Sequence, residues 1–177
     1  ECVTVPAGSN VTIDLRGHAL TTADAARPVL SVAGTLALVD TGLADGEGGT
    51  VWGAVEGGTA GAIDNHGTLR LSLGTGTTVS CTGGATISSA GAEDAPARLD
   101  VTAGTVSGGD LAIDNGAHST LQVSGGTVEG SASGSGAIRN AGEATVSGGT
   151  LTGTACVVTT ATGGTTTISG GTVTATA

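Results

Sequence analysis

Residues 123–128 read Val-Ser-Gly-Gly-Thr-Val, and this hexapeptide recurs with small changes along the 177-residue chain. Close copies begin at Val146 and Ile168, and a looser copy, Val-Thr-Ala-Gly-Thr-Val, begins at Val101. The four copies therefore start 22, 23 and 22 residues apart. A nearly constant period of this length is typical of a solenoid, in which each repeat buries its apolar side chains against its neighbours.

Two further series of aliphatic residues share this period. Three interleaved series indicate three short strands per repeat, and the Gly-Gly pairs between them favour tight corners. An antiparallel sandwich would not need so constant a spacing. We therefore predict an all-β, parallel β-helix with three short strands per coil, about six to seven coils, and a single domain over residues 1–177. The two series are Ile63, Ile87, Ile113 and Ile138, and Val79, Val106, Val128, Leu151 and Val173.

The N-terminal third fits the same pattern less regularly. Strands are predicted at 3–5, 11–15, 29–32, 36–39 and 51–52. The corner at 41–49 is longer than the others, and no linker separates this part from the rest. We expect it to belong to the same stack of coils.

The composition fits a narrow, regular interior. Apolar residues make up 38% of the chain, but they are nearly all Val, Ile, Leu and Ala, with Trp52 as the single aromatic residue. Stacked small aliphatic side chains fill such a cross-section, which large rings would overpack. The 34 glycines lack the three-residue period of collagen, and a charged fraction of 11% does not fit a disordered chain.

The charge balance restricts the partners. The net charge of −10 arises from 15 acidic residues against five basic ones, and without a basic patch we expect no binding of nucleic acid. No stretch approaches the roughly 18 consecutive apolar residues of a membrane helix, so we expect no membrane insertion. Cys2, Cys81 and Cys156 are too few and too far apart for a disulfide framework, and we expect most of them to be buried as small apolar residues.

Three asparagines follow isoleucines of the first series at a spacing of two residues. Asn65, Asn115 and Asn140 therefore point in the same direction as those isoleucines. Stacked about 4.8 Å apart, their amides can hydrogen-bond from coil to coil as a structural ladder. Ser89 takes the equivalent place after Ile87, so we expect the ladder to be interrupted there.

Threonines flank the inward residues of the second series. They predict a flat, almost uncharged face that either is the ordinary solvent side of the strands or contacts a glycan, a protein or ice. Glu129, in the middle of this face, disfavours ice. The candidate binding residues are Thr105, Thr127, Thr150, Thr152, Thr172 and Thr174.

The long corner is the best candidate for a metal. Asp40, Asp45 and Glu47 lie in or beside its glycine-rich stretch, and flexible, oxygen-rich loops suit Ca²⁺. The stretch lacks the alternation of an EF-hand, so an exposed acidic turn without metal is the competing interpretation.

A catalytic site has little support. Asp64 and Asp114 occupy outward positions two coils apart, about 9.6 Å, near the outer limit for an inverting glycosidase pair. No aromatic platform accompanies them, and Asp beside Asn is common in turns. His18, His66 and His118 lie in different repeats, and we expect them to be solvated loop residues. We therefore expect a non-catalytic protein.

Residues 3–18 read Val-Thr-Val-Pro-Ala-Gly-Ser-Asn-Val-Thr-Ile-Asp-Leu-Arg-Gly-His. Together with residues 36–42, residues 49–53 and the Ser-Gly-Gly-Thr copies, this segment resembles bacterial cell-surface proteins with right-handed parallel β-helix repeats. The resemblance covers nearly the whole chain, and Arg16 stands where an Asn is usual. It implies a pectate-lyase-like superhelix, export from a bacterium, and an adhesin-like or matrix role.

The functional prediction is accordingly a non-catalytic, adhesin-like or scaffold segment of a longer exported, cell-surface bacterial protein. Its expected partners are a host or cell-surface glycan or protein, and self-association through the coil ends is a further expectation. The alternatives are a glycan-active or glycan-binding pectate-lyase-like module, a filament subunit, and an ice-binding protein. No cofactor is expected apart from the calcium considered above.

Overall fold

The computed structural model describes residues 1–130, 136–154 and 156–176. Short β-strands wind through seven coils, each with three strands that belong to three different sheets. In these ranges no helix is present that would be long and apolar enough to cross a membrane. The strands are β1 Val3–Val5, β2 Asn10–Asp14, β3 Ala19–Thr21, β4 Leu30–Val32, β5 Thr35–Val39, β6 Leu43–Ala44, β7 Thr50–Val51, β8 Ala54–Gly57, β9 Ile63–Asn65, β10 Thr68–Ser72, β11 Thr78–Cys81, β12 Ala85–Ser89, β13 Ala97–Ala103, β14 Thr105–Ser107, β15 Leu111–Asn115, β16 Ser119–Val123, β17 Thr127–Glu129, β18 Ile138–Asn140, β19 Glu143–Val146, β20 Thr150–Gly153, β21 Val158–Thr160, β22 Thr165–Ile168 and β23 Thr172–Ala175.

The coils stack into three parallel sheets of seven strands. Sheet A contains β1, β4, β9, β12, β15, β18 and β21; sheet B contains β2, β5, β10, β13, β16, β19 and β22; and sheet C contains β3, β8, β11, β14, β17, β20 and β23. The predicted all-β parallel solenoid with three short strands per coil is confirmed, and the seven coils match the upper predicted number.

The aliphatic series seen in the sequence are columns of directly paired residues. In sheet A, Ile63, Ile87, Ile113 and Ile138 are consecutive partners, and in sheet C the column from Val79 to Val173 pairs in the same way. These side chains are buried in the inner coils, where they form one continuous core. Each coil therefore buries its apolar face only against the coils above and below it.

The repeated Gly-Gly pair forms the corner between sheets B and C. The second glycine of each pair has a left-handed backbone, with φ of +76° at Gly126, +81° at Gly149 and +84° at Gly171. A Cβ on Gly126 would lie 2.6 Å from the carbonyl oxygen of Gly104, and one on Gly149 would lie 2.8 Å from that of Gly126. Only glycine satisfies both the φ angle and the close stacking of successive corners, which explains why the motif recurs.

One predicted strand of the N-terminal third has a different role. Thr50–Val51 does not continue the solenoid, because it pairs antiparallel with Leu43–Ala44 in a small hairpin. The third strands of the first two coils are Ala19–Thr21 and Ala54–Gly57, which pair with each other in sheet C. The prediction of a coil strand at 51–52 is therefore wrong, because the long corner folds on itself before the chain returns to the stack.

The two end coils leave inward-facing positions open. Val3 of the first coil is 46% exposed, and Ile168 and Val173 of the last coil are 50% and 43% exposed. The equivalent residues of the inner coils, such as Val128 and Val146, are fully buried. Self-association through these ends stays a prediction.

Candidate functional site

The predicted threonine residues come together on the outer surface of sheet C. We call its two outward columns from β11 to β23 the threonine face. Thr78, Thr105, Thr127, Thr150 and Thr172 are consecutive partners in the first column, and Ser80, Ser107, Glu129, Thr152 and Thr174 form the second. All six candidate threonines therefore lie in register on one surface.

The threonine face is regular because its inward neighbours are regular. Each of its strands places one inward Val or Leu between two outward residues, as Leu151 lies between Thr150 and Thr152, and this inward residue is buried in every coil of the face except the last. Partners in one column are about 4.8 Å apart, and the two columns are separated by two residues of extended chain, about 6.7 Å. Glu129 is the single charged side chain of the two columns. The result is a nearly uncharged lattice of hydroxyl and methyl groups.

The predicted asparagine ladder is present in the interior, and Asn65, Asn115 and Asn140 are completely buried. The Asn115 Nδ2 donates to the Asn140 Oδ1 at 2.7 Å, and the Asn140 Nδ2 donates to the backbone oxygen of Thr165 at 2.8 Å. The side-chain oxygens of Asn65 and Asn140 also accept backbone N–H groups two residues further on. Stacked asparagines thus supply hydrogen bonds to the corner between sheets A and B.

The interruption predicted at Ser89 also occurs. The Asn65 Nδ2 donates to the Ser89 Oγ at 2.9 Å, but the Ser89 hydroxyl lies 2.9 Å from the Ser119 hydroxyl instead of continuing to Asn115. The Asn115 Oδ1 is consequently buried without a hydrogen-bond partner in the described part of the chain. The ladder consists of two separate segments, and its structural role stays a prediction.

Replacing Asn140 by serine should destabilise the protein by about 2 kcal/mol, since a buried polar group left without its partner costs about 1–3 kcal/mol. The shorter side chain cannot reach Thr165, and it removes the acceptor of the Gly142 N–H and one of the acceptors of the Asn115 Nδ2. Urea denaturation monitored by circular dichroism measures the loss. Asn10→Ser, the same change at an exposed strand position, is the control, and an equal loss in both variants would contradict a stabilising ladder.

The three residues proposed for calcium do not form one site. Asp40 is only 5% exposed, whereas Asp45 and Glu47 are on the exposed end of the hairpin. The Asp45 Oδ1 accepts the backbone N–H groups of Glu47 and Gly49, both at 2.8 Å, as in an Asx turn. Within the described ranges no three His, Cys, Asp or Glu side chains are arranged to hold a metal ion.

Asp40 instead connects three consecutive coils. Its Oδ1 accepts the N–H groups of Gly17 at 2.9 Å and Gly42 at 3.0 Å, and its Oδ2 accepts the Gly53 N–H and the Thr77 hydroxyl, both at 2.6 Å. Burial raises the pKa of Asp40, but the hydrogen bonds from Thr77, Gly53, Gly17 and Gly42 together lower the pKa by more than burial raises it. The pKa of Asp40 therefore lies below its ordinary value. We call this arrangement the Asp40 clamp.

The single aromatic residue lies beside the clamp. A Cβ on Gly74 or Gly76 would collide with the indole ring of Trp52, so the ring packs directly against the backbone of these two glycines of the third coil. The sequence analysis did not identify this contact. The sequence feature that could have indicated the contact is the Gly-Thr-Gly at 74–76, which lies one coil after the hairpin.

The two outward aspartates of sheet A each contact a nitrogen-bearing side chain. Asp114 accepts a hydrogen bond from the Nε of Arg139 at 2.9 Å, which raises the pKa of Arg139. The Nε2 of His66 lies 3.1 Å from Asp64, and its Nδ1 lies 2.8 Å from the backbone oxygen of Ala90. Asp64 and Asp114 thus bind separate neighbours, and Ser88 occupies the position between them in the column.

The cysteines differ from the expectation of burial. Cys2, Cys81 and Cys156 are free thiols. Cys2 and Cys81 are half-buried, and Cys156 is exposed, because they lie at strand ends and corners instead of in the aliphatic columns. The prediction that most are buried is therefore wrong.

Neither the protein-family models, nor the curated proteins, nor the solved structures contain a match to this chain.

Proposed function

We propose that this chain is a non-catalytic, adhesin-like or scaffold module that contacts a glycan or protein through the threonine face. The observation that carries the proposal is the register of this face, in which five consecutive coils present the same hydroxyl-bearing residue type. Such a surface offers the same group at equal intervals. It suits a partner that is itself repetitive.

The rigidity of the scaffold supports this function. Every inner strand is paired on both sides, so the spacing of the threonines is set by backbone hydrogen bonds and not by side-chain packing alone. A surface that does not reorganise on binding loses less conformational entropy. Many weak hydroxyl contacts can then add up along a repetitive ligand.

The non-catalytic part of the proposal is supported by the pairing of Asp114 with Arg139 and of Asp64 with His66. Release of new reducing or unsaturated ends from a polysaccharide would overturn it. The proposed location, outside a bacterial cell as part of an exported surface protein, is supported by the resemblance of residues 3–18. Fold alone does not specify function.

The threonine face can be tested with a single charge. A glycan and host-protein array identifies ligands, and Thr150→Lys, which places an ammonium group on the face, should weaken binding by about tenfold or more. Thr145→Lys is the matched control, because Thr145 is an outward residue of the same coil on sheet B. Binding that survives in Thr150→Lys, or is lost equally in both variants, would contradict a role for this face.

A further inference from the structure

A groove follows the corner between sheets A and B. It contains two cavities of about 310 Å³ and 590 Å³, one on each side of the loop formed by residues 90–96. Pro96 borders both cavities. We call the two cavities, which this loop separates, the A–B groove, and it does not include the threonine face.

One wall of the A–B groove is a single column of paired residues. The first outward positions of sheet B are consecutive partners from the first coil to the last. At one coil per 4.8 Å this column is about 29 Å long. The members that line the smaller cavity are Asn10, Thr35 and Thr68, and those that line the larger one are Thr120, Glu143 and Thr165.

On the opposite side of the groove no side chain projects from the corners at Gly34, Gly67 and Gly142, because these glycines pack against the backbone of a neighbouring coil. A Cβ on Gly34, Gly67 or Gly142 would collide with a carbonyl oxygen of the preceding coil, namely that of Pro6, Gly34 or Ser119. The corners cannot carry larger residues at these places. On this side of both cavities the surface is therefore formed by the stacked backbone of successive corners.

In the remaining coil of this column, the loop of residues 90–96 lies between the two cavities, but the Arg98 side chain enters neither of them. Arg98, which lies between Thr68 and Thr120 in the column, donates to the Asp100 carboxylate at 2.9 Å and to the Gln122 Oε1 at 2.8 Å. Its guanidinium is thus held over the second outward column of sheet B, away from the corner. Neither cavity is lined by an arginine.

His118 and Glu143 both line the larger cavity. Among the described residues, neither the His118 ring nor the Glu143 carboxylate takes part in a hydrogen bond or ion pair. His118 also has a left-handed backbone, with φ of +52°, which is unfavourable for a non-glycine residue and concentrates at functional sites. Both groups are available to a ligand.

We propose that the A–B groove binds a neutral, linear oligosaccharide. Its lining consists of hydroxyl, amide, imidazole and carboxylate groups, which can donate to and accept from the hydroxyls of a sugar. Without a free cation in the lining, and with a net charge of −10 on the chain, an acidic polysaccharide is disfavoured. A peptide would require apolar pockets or an open sheet edge, and the inner strands of sheet B are paired on both sides.

This inference deepens the proposed function, because it rests on a binding role for the solenoid and assigns a ligand class to a second surface. The test is titration calorimetry of the 177-residue protein with neutral oligomers of glucose and of N-acetylglucosamine, and with oligogalacturonate as the acidic comparison. Thr120→Lys should weaken binding of a neutral oligomer by about tenfold or more. Glu143→Gln should also weaken it, since the carboxylate is a stronger acceptor than an amide.

Two matched variants separate this site from others. Thr145→Lys on the same sheet and Thr127→Lys on the threonine face should each leave binding of the neutral oligomer within about twofold of the original protein. Loss of binding in Thr127→Lys but not in Thr120→Lys would overturn the groove and leave the threonine face as the glycan site. Absence of binding to every neutral oligomer, preference for oligogalacturonate, or equal loss in Thr145→Lys would also overturn it.

Discussion

Gly126→Ala should reduce the free energy of unfolding by about 3 kcal/mol. A left-handed backbone costs a non-glycine residue about 1–2 kcal/mol, and a methyl group forced into a packed site costs about 1–3 kcal/mol more. The new Cβ would lie 2.6 Å from the Gly104 oxygen, and it would lie 3.1 Å and 3.2 Å from two backbone atoms of Ala103. These atoms are held by the strands of the neighbouring coil and cannot move independently. Urea denaturation followed by circular dichroism measures the loss.

Gly163→Ala isolates the contribution of stacking. Gly163 has a similar left-handed backbone, with φ of +88°, but an added Cβ would meet no atom within 4 Å. It should therefore lose only the conformational part, about 1 kcal/mol. If both variants lose the same amount, the stacked corners add nothing to stability beyond their φ angles.

Asp40→Asn should destabilise the protein by about 3 kcal/mol, although it hardly changes the shape of the side chain. An asparagine keeps one acceptor oxygen, but its amide group would face two hydrogen-bond donors in place of the second carboxylate oxygen. Hydrogen bonds to a charged group contribute about 1.5–3 kcal/mol. The buried donors that lose their acceptor cannot form a hydrogen bond to water in its place. Thermal and urea unfolding both measure the effect. Asp45→Asn, at the exposed end of the hairpin, is the control and should lose less.

The pH dependence gives this prediction a definite sign. Because the pKa of Asp40 is below its ordinary value, its contribution is complete above the unfolded carboxyl pKa of about 3.9. The contribution is lost as the pH falls through the lower pKa of the folded protein. The difference in stability between the original protein and Asp40→Asn should therefore be largest near neutral pH and shrink in acid. A difference that stays constant down to about pH 2 would show that the charge of Asp40 is not responsible.

Much of the fold could be predicted from the sequence because periodicity reports directly on stacking. The spacing of Ile113 and Ile138 required them to be neighbours, and they are paired residues of sheet A. The same reasoning predicted the asparagine ladder and its interruption at Ser89. It also brought the threonines into one surface, since residues that flank paired residues must themselves be paired.

The contacts of the long corner could not be predicted in this way. Asp40 binds groups on three coils, including Gly17 and Thr77, which are 23 residues before it and 37 residues after it in the chain. No repeat relates these positions. The carboxylates of the glycine-rich corner were candidates for metal ligands because the sequence does not reveal that Asp40 and Asp45 accept hydrogen bonds from backbone N–H groups. The packing of Trp52 against Gly74 and Gly76 depends on the same irregular segment.

The hairpin shows how the stack tolerates additional chain. Leu30 and Ile63 are paired although 33 residues separate them, whereas Ile138 and Val158 form the same kind of pair across 20 residues. The additional residues project from a corner, and the strands of the coils above and below stay paired in register. Corners of this kind are suitable places to graft a foreign epitope or an enzyme tag, which the solenoid would display at a fixed height without redesign of its interior.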